Sequence, residues 1–162
     1  MSNAALQYLS FLLDDNEFAI HILRIQEIRG YEKTKSLPNA PGYVVGVINL
    51  RGSVIPVIDL RIRFGLSKKE YTPTTVVIVV HIKVQNRYRK VGLIVDSVKE
   101  VYEVKETDIQ DCTSIVENID NRFVSGIATI GEAMVTIIDL DQVFNFKEIE
   151  SALPAGNVSV TG

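Results

Sequence analysis

The sequence predicts a mostly β protein made of two similar β units packed together, with few short helices. Runs of four to eight residues rich in Val and Ile recur between clusters of Gly, Pro, Asn and Asp. Such runs mark strands rather than the 3.6-residue period of helices. The chain also matches itself. Gly46 to Leu66, GVINLRGSVIPVIDLRIRFGL, lies without a gap on Gly126 to Phe146, GIATIGEAMVTIIDLDQVFNF, 80 residues later, and Gly46, Ile58, Asp59, Leu60 and Phe64 meet identical partners. At an offset of 73, Glu17 to Ile28 lies on Lys90 to Val101, with Phe18, Ile20, Ile22, Ile25 and Ile28 meeting apolar residues and Glu27 meeting Glu100. A unit of about five strands buries its sheet faces poorly alone, so the two are expected to pack against each other.

Taken in order, the strands are expected at Leu6 to Leu13, Phe18 to Ile22, Ile25 to Arg29, Val45 to Leu50, Val54 to Leu60, Thr75 to Lys83, Tyr88 to Val95, Val98 to Val104, Phe123 to Ile130 and Met134 to Leu140. Asp14-Asp15-Asn16 and Gln85-Asn86-Arg87 carry the polar chemistry of hairpin turns. Pro38 and Pro41 fix an extended connection around Asn39-Ala40. Short helices are expected at Arg61 to Phe64 and Asp141 to Phe146, each directly after the Asp-Leu pair that ends a strand. The repeated units run approximately over 6–66 and 75–146 within one domain at 6–147, and residues 148–162, with Pro154, Gly156 and small polar residues, read as a flexible tail.

Composition narrows the function classes. With 46% hydrophobic and 23% charged residues the chain is an ordinary globular sequence, not a disordered one. A net charge of −3 gives no global attraction for nucleic acid or an anionic bilayer. The apolar run Val76 to Val80 ends at His81, far short of the ~20 residues of a membrane helix, so no membrane insertion is expected, and the N-terminus lacks a signal-peptide pattern. The single cysteine, Cys112, excludes an internal disulfide and suits a reducing, cytoplasmic setting.

The search for chemistry returns no catalytic set. His21 and His81 lie in β-like apolar stretches and read as strand positions. Cys112 has no cation or second thiol near it in sequence to activate it. No metal-ligand pattern is present, and Gly42, Gly46, Gly52 and Gly65 lack phosphate-loop spacing, so neither metal nor cofactor is expected. Asp14-Asp15 and Glu148 with Glu150 read as solvated acids, and the patch of Arg87, Tyr88, Arg89 and Lys90 as a charged hairpin end too short to bind nucleic acid.

One residue breaks the repeat in an informative way. Arg51, in Asn49-Leu50-Arg51-Gly52, is a cation where the second copy has Gly131. Divergence to a fixed charge marks a candidate interaction site. Glu27, between Ile25 and Ile28 on a strand, is the expected partner of Arg51, since guanidinium and carboxylate match in bidentate geometry.

From about Tyr8 to Phe146 the sequence resembles the CheW family of chemotaxis coupling proteins. The resemblance rests on Phe18-Ala19-Ile20, on Ile25-Gln26-Glu27-Ile28-Arg29-Gly30-Tyr31, on Leu37-Pro38-Asn39-Ala40-Pro41, on the run from Gly46 to Arg61, and on Val91 to Val98. It implies two five-stranded SH3-like β-barrels packed together across an apolar seam, with strand exchange able to make the physical units differ from the sequence halves. It also implies an adaptor that catalyses nothing. The expected partners are the regulatory domain of the histidine kinase CheA and the cytoplasmic tip of methyl-accepting chemotaxis receptors. By the same resemblance, Ile25, Glu27, Gly46, Asn49 and Arg51 belong to the receptor-facing region, and Val76 and Val77 to the region that meets the kinase. Asp108 to Asp120 carries little of the family pattern. Rival readings are a CheV-like or CheA regulatory fragment and an SH3-like small-molecule-binding protein.

Overall fold

A computed structural model describes residues 5–111, 119–144 and 147. Among these residues eleven strands run as β1 (Ala5–Leu13), β2 (Asn16–His21), β3 (Ile25–Gly30), β4 (Val44–Leu50), β5 (Ser53–Asp59), β6 (Val76–Val84), β7 (Arg87–Val95), β8 (Ser97–Lys105), β9 (Ile109–Gln110), β10 (Val124–Ile130) and β11 (Ala133–Ile138). Two single-turn helices, α1 (Leu60–Arg63) and α2 (Leu140–Val143), follow β5 and β11. The helix expected at Asp141 to Phe146 ends earlier, at Val143, because Phe144 is already extended at φ −114° and ψ 120°. Cys112, residues 145–146 and the tail 148–162 lie outside the described residues.

The strands form two mixed sheets, β8-β1-β2-β11-β10-β9 and β3-β6-β7-β5-β4. The sheets therefore hold six and five strands, not five each. The sixth is β9, which sequence reading missed because two residues carry no periodicity. Its counterpart in the smaller sheet is an isolated bridge from Lys35 to Val47, and Val47 lies 80 residues before Ile127, the partner of Gln110 in β9.

Neither sheet coincides with a sequence half. The hairpin β1–β2 pairs with β8 and β11, while its counterpart β6–β7 pairs with β3 and β5. Each half thus lends its first hairpin to the other half's sheet. The correspondence reaches single residues. Val57 pairs with Gly92 in parallel, as Ile137 pairs with Ala19, and the bulge at Val44/Gly46 recurs at Val124/Gly126.

The repeated Ile-Asp-Leu has a mechanical reason. Asp59 ends β5 and Asp139 directly follows β11, and each caps a helix, accepting from Arg61 N at 3.0 Å and Asp141 N at 3.2 Å. Their own amides donate to Tyr43 O and Phe123 O at 2.8 and 2.9 Å. The Leu placed at the end of each expected strand is therefore the first helical residue.

Three apolar clusters explain the continuous Val/Ile runs. Leu50, Val57, Val77, Val79 and Ile94 pack on one face of the five-stranded sheet, and Tyr8, Ala19, Ala128, Val135 and Ile137 on one face of the six-stranded sheet. The largest cluster takes Phe11, Phe18 and Ile20 from one sheet and Ile58, Ile78 and Leu93 from the other. Successive residues such as Val77 and Ile78 enter different cores, so strands with two buried faces read as unbroken apolar sequence.

Gly46 is required by close approach. A Cβ there would lie 2.8 Å from the Lys35 carbonyl carbon and 2.9 Å from Thr34 Oγ1. Gly46→Ala is expected to cost about 1–3 kcal/mol as overpacking against fixed backbone, read as a lower midpoint in urea denaturation.

A charged network joins the two sheets. Arg61, its side chain 7% exposed, donates to Asp14 Oδ1 and Asp96 Oδ2 at 2.8 Å and to Ser67 O at 2.8 Å. Arg61→Met is expected to lower stability by about 2–4 kcal/mol, less than the upper range for a buried pair because the half-exposed Asp14 rehydrates. The Arg61 hydrogen bond, opposed by burial, holds the Asp14 carboxyl below its ordinary value. At Glu17 burial pushes the carboxyl up, but hydrogen bonds from Tyr102, Ser10 and Lys99 prevail and lower it. A carboxylate depressed in the native state stabilises fully above its unfolded pKa, near ~4, and loses that contribution as pH falls through the lower native value. Thermal stability is therefore expected to fall below about pH 4, with a shallower fall in Asp14→Asn.

Candidate functional site

The hairpin β4–β5 turns in two residues, Arg51-Gly52, between the pair Leu50 and Ser53. Both have positive φ, 50° and 91°, as the primed hairpin turns require. In the second copy the turn opens with Gly131 at φ 61°, the residue this backbone favours. Arg51 adopts the same conformation against a cost of about 1–2 kcal/mol. Asn49 Oδ1 supports it by accepting from Gly52 N at 2.8 Å.

Arg51 reaches across to β3, where its Nη2 donates to Glu27 Oε1. That bond holds the Glu27 carboxyl below its ordinary value, with the charges of Arg51 and Arg29 adding to it. Arg29 lies two residues on, on the same strand face, 3.8 Å from Glu27 and 2.7 Å from Glu32. The result is a surface row of alternating charge, Glu32, Arg29, Glu27 and Arg51, ending on a cation that is 69% exposed. The i, i+2 spacing of Glu27 and Arg29 was the signal that could have extended the pair into this row.

The remaining candidate residues separate by environment. Asn49 is exposed, and Ile25 is half-buried against the main core. Gly46 is buried beneath Lys35 and shapes the hairpin without offering a surface. Val76 is half-buried, whereas Val77 is 2% exposed. Both lie on β6, which is paired on both sides by β3 and β7. Neither presents a free strand edge, and Val77 acts on any surface there from beneath. The neighbouring apolar residue that does reach solvent is Ile28 on β3, 44% exposed.

The histidines are accounted for by structure. His21 Nδ1 accepts from Leu23 N at 3.2 Å and its ring meets Tyr8 edge-on. Burial, with Lys90 and Arg24 nearby, holds the His81 imidazole below its ordinary pKa. Among the described residues no group of three His, Cys, Asp or Glu gathers as a metal site, and no helix is long and apolar enough to cross a membrane.

Comparison with known proteins decides the family. The family model described as CheW-like domain matches residues 7–148. The chain belongs to the CheW-like domain family. A chemotaxis protein CheW from Rhizobium meliloti (strain 1021) is 37% identical over 152 residues, covering 94% of this chain and 96% of that one. Chemotaxis protein CheW of Klebsiella aerogenes is 33% identical over 143 residues, covering 88% and 84%. The crystal structure of the scaffolding protein TtCheW from Thermoanaerobacter tengcongensis is similar with a TM-score of 0.78 at 34% identity, covering 87% of this chain and 93% of that chain. The chain is accordingly a chemotaxis adaptor of scaffold type, with the SH3-like, mostly β architecture that the sequence predicts.

Proposed function

We propose that this CheW-like chain couples chemoreceptors to the histidine kinase CheA within receptor arrays, and that it does so by binding without turnover. The observation that carries the reading is Arg51, a charged residue held in a glycine-type turn conformation and tied to Glu27. Backbone strain retained in an exposed turn is a pointer to function. Ile25 and Glu27 on β3, with Asn49 and Arg51 on a hairpin whose path Gly46 permits, form the receptor-facing surface, which receives an amphipathic receptor helix. The regulatory domain of CheA meets the surface built over Val76 and Val77. Residues 6–147 act as one domain, cytoplasmic and recruited to the arrays through its partners.

Such an adaptor transmits a signal only if receptor state changes the relative free energy of its bound arrangements, typically by about 1–3 kcal/mol. The test is co-sedimentation with a receptor cytoplasmic fragment and CheA, scoring recruitment and kinase phosphorylation together. The expected result is that adding the chain brings CheA into the receptor pellet and raises phosphorylation. Recruitment unchanged by the chain overturns the reading.

A further inference from the structure

Away from the Arg51 surface, a cavity of about 360 Å³ lies where the two sheets meet beside α2. Its cationic lining comes from both sides of the junction. Lys83 and Arg89 belong to the β6–β7 hairpin and Arg63 ends α1. Arg122 precedes β10, and Lys147 follows α2. Five cations around one small cavity run against the chain's net charge of −3, with Arg122 also paired to Asp120 at 2.9 Å and the cluster still carrying more positive than negative charge.

The one carboxylate lining the cavity among the described residues, Asp141, is already engaged. It pairs with Arg24 from outside the cavity, and its Oδ1 also accepts from Lys83 N at 2.8 Å. Asp141 thereby fixes the hairpin over α2 while its charge is offset by Arg24. Arg63 is held in place beforehand. Its Nε donates to Val143 O, and its guanidinium lies 4.2 Å from the centre of the Tyr43 ring and 4.9 Å from that of Phe123. Phe144 supplies an apolar wall.

We infer that this cavity binds a small anion bearing two or more phosphate-type charges. Its volume falls at the small end of ligand sites, about 300–1,000 Å³. Three of its five cations are arginines, whose planar forks pair bidentately with phosphate oxygens. A side chain such as Arg63, ordered before the ligand arrives, lowers the entropic cost of binding. An occupant would bridge elements of both sheets, coupling its concentration to the rigidity of the seam. The inference stands on the cavity alone and does not depend on the receptor reading.

The experiment is calorimetric titration of the full chain with inorganic pyrophosphate at constant physiological ionic strength. One saturable site is expected. Lys83→Gln combined with Arg122→Gln, both at exposed positions, is expected to weaken binding by about tenfold or more. Lys105→Gln on distant β8 is expected to leave it unchanged. Matching thermal melts without ligand establish that the variants fold. A titration with citrate, a polyanion of carboxylates, separates phosphate recognition from plain charge, and weaker citrate binding is expected. Lack of saturation at millimolar pyrophosphate, equal binding by the Lys83/Arg122 variant, or citrate binding as tightly as pyrophosphate overturns the inference.

Discussion

Phe64→Ala is expected to remove about 3–5 kcal/mol of folding stability. Phe64 is 2% exposed and lies between two other rings, with centroids 5.5 Å from Phe18 and 5.4 Å from Phe123. Phe18 is on β2 and Phe123 leads into β10, both strands of the six-stranded sheet, whereas Phe64 follows α1 and β5 of the five-stranded one. The ring is thus a knob from one sheet lodged in the other. The surrounding strands are hydrogen-bonded on both sides and cannot collapse into the space, so the cavity term adds to the lost transfer free energy. Against a total stability of about 5–15 kcal/mol, such a loss leaves a marginal fold. Urea denaturation is expected to show a much lower midpoint. If the slope also falls, the two sheets separate before they unfold. A loss below about 1 kcal/mol would mean that the seam contributes little to holding the sheets together.

The same residue shows what the sequence makes legible. Phe64 and Phe144 stand at equivalent places in the repeated Ile-Asp-Leu-x-x-x-Phe, and that ungapped match was sufficient to expect two related units. The strands follow from their Val and Ile runs because burial on two faces leaves no polar alternation to confuse them with loops. What periodicity cannot carry is which sheet a strand joins. The exchange of β1–β2 with β6–β7 is decided by long-range parallel pairs, Ile137 with Ala19 and Val57 with Gly92, and a strand looks the same in sequence wherever it docks. Depth is hidden for a related reason. Val76 and Val77 look alike in sequence, but one residue of register sends Val77 into the core. At the candidate site, the Glu27–Arg51 pair was legible because one copy of the repeat departed from the other. The basic cavity was not, since its cations come from four separate segments whose meeting depends on the fold.

Arg51→Glu is expected to weaken receptor-dependent assembly by at least about tenfold, or ~1.4 kcal/mol, while leaving the protein folded. The side chain is exposed, so reversal strands no charge in the core, and its cost to stability is set by repulsion from Glu27 in high dielectric, which is small. Arg51→Gly separates the turn from the charge. Glycine fits φ 50° without strain, so this variant is expected to be as stable as the parent or up to about 1 kcal/mol more so, yet to lose assembly as Arg51→Glu does. The exchange of Glu27→Arg with Arg51→Glu distinguishes two roles for the pair. If the ion pair served only to hold the hairpin against β3, the exchange would restore binding along with the pair. If the guanidinium itself meets the partner, the restored pair presents a carboxylate where a cation is needed, and assembly stays weak. The 69% exposure of Arg51 against 26% for Glu27 favours the second outcome, because the more accessible member of the pair is the one that meets a docking helix. Co-sedimentation of all three variants with the receptor fragment and CheA reads this out, and full recovery in the exchanged pair would reassign Arg51 from contact to support.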